Sequence, residues 1–116
     1  MKADVTAERV ARNQSTFRDA NEQLERNAEQ LAPTVDRVPF ICECPDVHCR
    51  TIALLSLVDY EMVRSRGDWF FTVPGHESCV VDGEVVAKIL KRNEAFSVME
   101  KIGPAGERAE QLDPRG

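Results

Sequence analysis

Apolar residues near the N-terminus recur at every seventh position: Val10, Phe17, Leu24 and Leu31. This spacing places them along one narrow stripe of an α-helix. The surrounding residues are good helix formers without Gly or Pro, so we predict a helix from residue 6 to about residue 31. Thr6 is its predicted N-cap and Pro33 its predicted stop. Such a helix is roughly 39 Å long, and we expect part of it to project from a small domain.

The stripe is interrupted, because Asn13, Ala20 and Asn27 fall on the same side of the helix. Two interpretations follow. In the first, the stripe packs on the sheet of its own domain. In the second, it is a docking surface or a self-paired coiled coil in which the two Asn side chains limit the register. The oligomeric state is open for the same reason.

Two short stretches rich in strand-favouring residues, 38–41 and 51–55, flank a group of cysteines. They predict a hairpin with the cysteines at its tip. Ser56 and Asp59 then have the spacing of a capping box, which predicts a short helix ending at residue 64 or 65. A third predicted strand, 69–73, runs into Pro74 and Gly75, a turn pair that presents His76 just beyond the strand end.

The stretch 84–91 fits either a helix or a strand, and its β-branched residues favour a strand. It is predicted to pair with the alternating stretch 95–101 in a second hairpin. Residues 105–112 are predicted to form a short C-terminal helix.

Composition describes one small domain that is short of large apolar side chains. The chain has 116 residues, of which 42% are hydrophobic but only 6% aromatic. A domain of this size buries only roughly two thirds of its unfolded surface, so a metal crosslink would contribute a useful share of the stability. The net charge of -5 and the scattered basic residues disfavour nucleic acid as the main partner. With no apolar run of signal-peptide or membrane-span length, we expect a cytoplasmic protein without membrane contact.

Three cysteines lie within eight residues, in the pattern C-x-C-x4-C: Cys42, Cys44 and Cys49. In a reducing compartment such a cluster indicates metal or redox chemistry before disulfides. A bridge between Cys42 and Cys44 would also be strained. The polar neighbours of these cysteines argue against an ordinary core segment. We therefore predict a metal-binding loop from Cys42 to Cys49, which we call the knuckle.

Tetrahedral zinc requires a fourth protein ligand in a structural site. His76 follows a turn after the third strand and would tie the first hairpin to the rest of the fold, so it is the favoured fourth ligand, giving three cysteines with one histidine. Cys79 is the alternative, giving four cysteines. His48 adjoins Cys49 and is interpreted as an exposed loop histidine. Zinc is the favoured ion, and an iron–sulfur cluster is the alternative, because the same thiolates hold either.

The chain resembles a family of small uncharacterised proteins common in actinobacteria. Nearly the whole length carries the matching motifs: Arg12-Asn13 through Phe17-Arg18, Asn21-Glu22, Phe40-Ile41-Cys42-Glu43-Cys44, Cys49, Tyr60-Glu61, Val63-Arg64, Pro74-Gly75-His76-Glu77, Val98, Glu100-Lys101 and Asp113-Pro114-Arg115. The resemblance implies that the histidine of the P-G-H-E turn completes the site. Its expected ligands are therefore Cys42, Cys44, Cys49 and His76. The family implies no activity, and residues 78–82 depart from its pattern.

These elements predict an α+β fold: a long N-terminal helix, then a small antiparallel sheet with the metal knuckle at a hairpin tip and one or two short helices. The predicted divisions are a helical arm at 1–33, a metal-stabilised core at 34–103, and a short helix and tail at 104–116.

The sequence carries no motif of a known catalytic centre, and Glu77 is the only obvious general-base candidate. We therefore expect no enzymatic activity. The predicted function is a zinc-stabilised interaction or regulatory module that docks through its N-terminal helix on a larger protein assembly, such as the transcription or translation machinery. An iron–sulfur or metal-dependent enzyme using the same cysteines and histidine is the alternative.

Overall fold

The computed structural model describes residues 2–31, 36–46, 48–81 and 83–115. Within the first helix, the described side chains are those of residue 12 and residues 14–30. The described residues form three helices and seven strands in this order: α1 (Lys2–Leu31), β1 (Val38–Ile41), β2 (Ile52–Leu55), α2 (Leu57–Val63), β3 (Trp69–Thr72), β4 (Val80–Val81), β5 (Glu84–Val85), β6 (Ala87–Arg92), β7 (Ser97–Lys101) and α3 (Gly103–Gln111). The predicted α+β class is confirmed.

Helix α1 is longer than its N-cap signal indicated. It begins at Lys2, so Thr6 lies inside the helix and the prediction of Thr6 as N-cap was wrong. The four residues before Thr6 contain neither Gly nor Pro, and nothing in them stops a helix from starting earlier. Thirty residues span about 45 Å, which matches the 48 Å length of a molecule that is 29 × 24 Å across. The predicted stop at Pro33 lies outside the described residues.

The described part of the stripe on α1 packs on the chain's own core. Phe17 is buried and Leu24 packs against the main core cluster. Ala20 and Asn27, three residues after Phe17 and Leu24 on the same side of the helix, are exposed and lie at the solvent edge of the stripe. Val10, Asn13 and Leu31 are outside the described side chains. Apart from Ala28, the rest of the buried face is polar, with the side chains of Gln14, Arg18, Asn21, Glu22 and Glu25.

The first predicted hairpin is present with the cysteines at its tip. Strands β1 and β2 are antiparallel, with Val38 opposite Leu55 and Ile41 opposite Ile52. The pairing continues one step further, because the Cys42 amide donates to the Thr51 carbonyl at 2.9 Å. Helix α2 follows directly, and its first turn is capped as predicted: the Ser56 hydroxyl accepts from the Asp59 amide at 3.1 Å.

The second predicted hairpin is confirmed as β6 and β7, which form a three-stranded antiparallel sheet with β3 in the order β3-β7-β6. The stretch 84–91 is extended, as predicted, but Val86 divides it into β5 and β6. The two-residue strand β5 pairs with β4, a small hairpin that the pattern did not predict. Helix α3 begins two residues before the predicted start, with a proline in its first turn, where a missing amide costs nothing. Among the described residues, no helix combines the length and apolar character needed to cross a bilayer.

Three aromatic rings form the centre of the core between α1, the first hairpin and α2. Phe40 stacks on Tyr60 with ring centroids 4.2 Å apart, and Phe71 meets both rings edge-on at 6.3 Å. Such geometry contributes stability beyond the buried area itself. Because β1 continues into the knuckle and β3 leads towards His76, this cluster fixes the distance between the two halves of the candidate metal site.

A cluster of ion pairs, which we call the C-terminal clasp, ties the end of the chain to α1 and α2. The Arg115 guanidinium contacts carboxylates of Glu22, Glu25 and Glu61 at 2.6–2.9 Å. Arg64 contacts Glu22 at 3.0 Å from the other side. Burial alone raises the pKa of Glu22, but hydrogen bonds from Arg115, Arg64 and Tyr60 lower it to about 2. Glu22 is therefore ionised at neutral pH.

We expect Arg115→Ala to lower the free energy of unfolding by about 1–2 kcal/mol, because it removes charged hydrogen bonds from a cation that is partly exposed to solvent. Urea unfolding followed by circular dichroism measures the loss. Arg26→Ala, on the exposed face of α1, is the matched control and is expected to change stability by less than about 0.5 kcal/mol. Equal stability of the two variants would show that the clasp does not hold the C-terminus.

Candidate metal centre

Four metal-ligating side chains converge at the tip of the first hairpin. One donor atom from each of Cys42, Cys44, Cys49 and His76 lies within 4.8 Å of all the others, in a group able to hold a metal ion. The three cysteines are buried and His76 is partly buried. These are the four residues named as expected ligands, brought together from segments separated by up to 34 positions in the chain.

The measured distances match those around a single tetrahedral ion. His76 Nδ1 lies 3.7 Å from Cys42 Sγ and 3.5 Å from Cys49 Sγ. Around tetrahedral zinc, with bonds of about 2.3 Å to sulfur and 2.0–2.1 Å to nitrogen, a sulfur and a nitrogen lie roughly 3.6 Å apart. These two spacings are therefore those of ligands sharing one ion.

Local hydrogen bonds shape the knuckle so that its three cysteines face one point. The Cys49 amide donates to the Asp46 carbonyl at 3.0 Å, which closes a turn after Pro45. The Asp46 carboxylate accepts from the His48 amide at 2.9 Å. This turn reverses the chain, so that Cys49 returns towards the two cysteines that precede it.

His76 is presented by the turn that was predicted from Pro74 and Gly75. The His76 amide donates to the Val73 carbonyl at 2.9 Å, and Gly75 takes a φ of 94°, where a glycine avoids the strain of a side chain. The Val73 amide in turn donates to Cys42 Sγ at 3.2 Å. The backbone leading to His76 is thus bonded directly to one of the cysteines.

Glu77 supports this turn. Its carboxylate accepts hydrogen bonds from the Gly75 amide at 3.1 Å and from the Ser97 hydroxyl at 2.6 Å. The Ser97 hydrogen bond is the main reason that the pKa of Glu77 lies below its usual value. The residue that was considered as a general base is therefore engaged in holding the His76 turn.

Without a cation, the site disfavours thiolates at Cys42 and Cys44. Burial raises the pKa of Cys42 to about 12, and burial also raises that of Cys44. Burial raises the pKa of Cys49 as well, but hydrogen bonds from Thr51, Cys44 and His76 outweigh it and lower the value to about 7. A divalent ion supplies the positive charge that three adjacent thiolates need.

The other two candidates lie outside the cluster. Cys79 is partly buried and packs against Val86, Ala87 and Met99, while its carbonyl accepts from the Val86 amide at 2.7 Å. His48 is exposed, in agreement with its interpretation as a loop residue. Among the described residues, Cys42, Cys44, Cys49 and His76 form the only group of three or more possible ligands.

The pattern did not reveal the role of Glu43, which separates two of the cysteines. Its side chain is completely buried and forms an ion pair with Arg18 of α1, with Oε1 and Nη2 2.9 Å apart. A signal for this did exist. In an extended segment, alternate side chains point to opposite sides, so a residue between two ligands must point away from the metal and into the fold.

Comparisons of the chain with protein-family models, with curated proteins and with solved structures found no match. The resemblance to the actinobacterial family therefore stays a prediction. What the structure contributes is the cluster itself, a three-cysteine, one-histidine group whose geometry is suitable for a metal ion.

Proposed function

We propose that this protein binds one structural zinc ion through Cys42, Cys44, Cys49 and His76, and that the ion holds a small α+β module in its folded form. The observation that carries the proposal is the convergence of four donor atoms within 4.8 Å of one another. A two-iron cluster separates its two pairs of ligands by the width of the cluster, so this spacing favours one ion over an iron–sulfur centre. Soft thiolates with one imidazole favour zinc among single ions.

A structural role is supported by the number of protein ligands. Four protein donors complete a tetrahedral zinc and leave no position for water, whereas catalytic zinc keeps one position open. The Glu77 carboxylate, which follows His76 in the chain, is bonded to Gly75 and Ser97. We therefore propose a protein without enzymatic activity at this site.

The alternative, a metal-dependent enzyme, has one observation in its favour. A groove of about 470 Å³ runs beside the candidate ligands Cys44 and His76, and Asp46 and Ser78 also line it. A substrate that reached the ion would approach from this side. Such an enzyme requires an ion with an open coordination position, so an oxygen ligand in the metal-loaded protein would favour it.

We also propose that the stabilised fold serves as an interaction module, with α1 as its contact surface. The helix is about 45 Å long, and its solvent face carries charged and amide side chains at Asp19, Gln23, Arg26 and Glu29. Such a face fits a polar protein surface better than an apolar groove, since Phe17 and Leu24 pack within the protein itself. A protein partner in the transcription or translation machinery remains the expectation from the sequence.

Two alanine variants test which residue is the fourth ligand. His76→Ala is expected to lower the metal content from about one ion per chain to less than about 0.2, because three cysteines alone leave zinc incompletely coordinated. Cys79→Ala is expected to retain a full equivalent. Elemental analysis of both purified proteins, expressed with zinc in the medium, measures the stoichiometry.

The reverse pattern, metal lost with Cys79→Ala and kept with His76→Ala, would show that the fourth ligand is Cys79. Iron in place of zinc, together with visible absorption, would contradict the identity of the ion. Metal absent from the wild-type protein after zinc supplementation would contradict the proposal as a whole.

A further inference from the structure

Glu43 connects the knuckle to helix α1. It lies between two ligands, Cys42 and Cys44, but its carboxylate contacts Arg18 and Asn21 of α1 and not the ligand group. Its exposed fraction is 0%, and its backbone amide donates to the Phe71 carbonyl at 3.1 Å. A residue held this firmly fixes the direction in which its two neighbours point.

Helix α1 supplies most of the hydrogen bonds to Glu43. Arg18 donates to the carboxylate through Nη2 at 2.9 Å and Nε at 3.2 Å, and Asn21 donates to it at 3.0 Å. Gln14 donates to the Glu43 carbonyl at 2.8 Å. Asn21 also bonds both the amide and the carbonyl of Ile41, at 2.7 and 2.8 Å, as a neighbouring strand would. One face of α1 thus forms hydrogen bonds with the backbone on either side of the ligand Cys42.

The helix contacts the other arm of the knuckle as well. The Phe17 ring lies below the guanidinium of Arg50, with 5.3 Å between the Arg50 Cζ atom and the ring centroid. Arg50 directly follows the ligand Cys49 in the chain. Both sides of the knuckle are therefore in contact with α1.

With a divalent ion bound, the charges at this junction balance. Three thiolates, a neutral imidazole and Zn²⁺ sum to one negative charge, and the buried Glu43 carboxylate adds a second. The junction also contains two buried cations, Arg18 and Lys101, which lie 3.9 and 5.4 Å from the centroid of the Phe70 ring. Lys101 is bonded to Gln14, which links it to Glu43 through the same side chain.

We propose that Glu43 is a positioning residue of the metal centre, and that it couples metal binding to the docking of α1. This inference rests on the proposed zinc site. Because coupling between two events is reciprocal, zinc must tighten the packing of α1, and the contacts of α1 with Glu43 must raise the affinity for zinc. Loss of the ion would then release the face of α1 that carries Gln14, Arg18 and Asn21.

Hydrogen exchange on the full-length wild-type protein tests, without any substitution, whether zinc tightens the packing of α1. The amides of residues 14–28 are expected to exchange at least about tenfold faster after zinc is removed by a chelator, because their opening no longer has to break the junction with the knuckle. The peptides of β6 measure the general loss of stability after zinc removal, and the increase at residues 14–28 is expected to exceed theirs. An increase at residues 14–28 no larger than that at β6 would overturn the coupling.

Measurements of zinc affinity test whether the contacts of α1 with Glu43 strengthen zinc binding. Glu43→Gln keeps the shape of the side chain but removes its charge, and it is expected to raise the dissociation constant for zinc by about 10- to 100-fold, the usual effect of an outer partner of metal ligands. Glu100→Gln is the matched control, since that carboxylate bonds Trp69 and Lys88 instead. A competition titration with a chromophoric chelator measures both constants.

Arg18→Gln is expected to weaken zinc binding as well, because it leaves the Glu43 carboxylate buried without its cation. In the Glu43→Gln and Arg18→Gln double variant, the loss of affinity is expected to be smaller than the sum of the single losses. If both single variants bind zinc as tightly as the wild type, Glu43 has no positioning role. The proposed zinc site would still stand in that case, because the wild-type protein binds zinc. Failure of the wild-type protein to bind zinc would overturn the proposed function itself.

Discussion

Removal of zinc from the purified protein with a chelator is expected to lower the thermal midpoint of unfolding by more than about 15 °C. The apparent binding free energy of structural zinc is on the order of 10 kcal/mol, which is comparable with the whole stability of a domain, about 5–15 kcal/mol. Even a net loss of about 4 kcal/mol produces this shift at roughly 4 °C per kcal/mol. Thermal melts followed by circular dichroism, with the metal content measured in parallel, provide the value.

The effect is expected to be large because of where the ligands lie. The knuckle and His76 come from separate parts of the chain, so the ion adds a strong crosslink to the hydrogen bonds and ring contacts that already join them. Re-addition of zinc should restore the midpoint, and Cys79→Ala should respond to the chelator as the wild type does. An unchanged midpoint in protein shown to be free of metal would mean that the ion has no structural role.

Deletion of residues 1–33 is expected to prevent folding of the remaining chain, with a loss of more than about 5 kcal/mol. The deletion removes Leu24 and Ala28 from the main core cluster and Phe17 from its buried position, and full burial of one large apolar side chain is worth about 1.5–3 kcal/mol. It also removes Glu22, whose carboxylate accepts from the Tyr60 hydroxyl at 2.9 Å and from Arg64 at 3.0 Å. Soluble yield and circular dichroism of the truncated protein measure the outcome.

The matched control is a full-length variant altered only on the solvent face of α1, with Gln23, Arg26 and Gln30 replaced by alanine. It is expected to melt within a few degrees of the wild type, because alanine favours helix and these side chains are exposed. A truncated protein that folds and binds zinc would instead show that residues 1–33 form a separable arm. The predicted division at residue 33 thus stays a prediction that this experiment tests.

The elements that could be predicted from the sequence are those whose signals are local. The Ser56 cap, the turn at Pro74 and Gly75, and the two longer hairpins each depend on residues close together in the chain, and all are present in the structure. The cysteine spacing likewise indicated one half of the candidate site. His76 was favoured for its place after the turn, the family resemblance supported that choice, and the structure brings the residue to the cysteines.

The polar face of α1 could not be predicted from hydrophobic periodicity. Gln14, Arg18, Asn21 and Glu25 have the spacing of a buried helical face, but a pattern of apolar residues assigns such positions to solvent. Their burial depends on partners that are distant in the chain, including Glu43 at the knuckle and Arg115 in the clasp. Pairing of buried charges is a tertiary property, and the same residues would lie in water on another fold.

The small hairpin of β4 and β5 was missed for a different reason. Each strand has only two residues, too few to show the alternation on which strand prediction depends. Its turn at Gly83, with a φ of 82°, follows a residue outside the described part of the chain. This hairpin forms one wall of the groove beside His76, through Val80 and Val81.

X-ray absorption spectroscopy of the zinc-loaded full-length protein tests the central claim most directly. We expect the zinc ion to be bound by three sulfur atoms at about 2.3 Å and one nitrogen atom at about 2.0–2.1 Å. His76→Ala should lose the nitrogen contribution, whereas Cys79→Ala should leave the spectrum unchanged. A structural site formed by Cys42, Cys44, Cys49 and His76 would be contradicted by any of three results. These are four sulfur ligands, an oxygen ligand in place of the histidine, or no bound zinc.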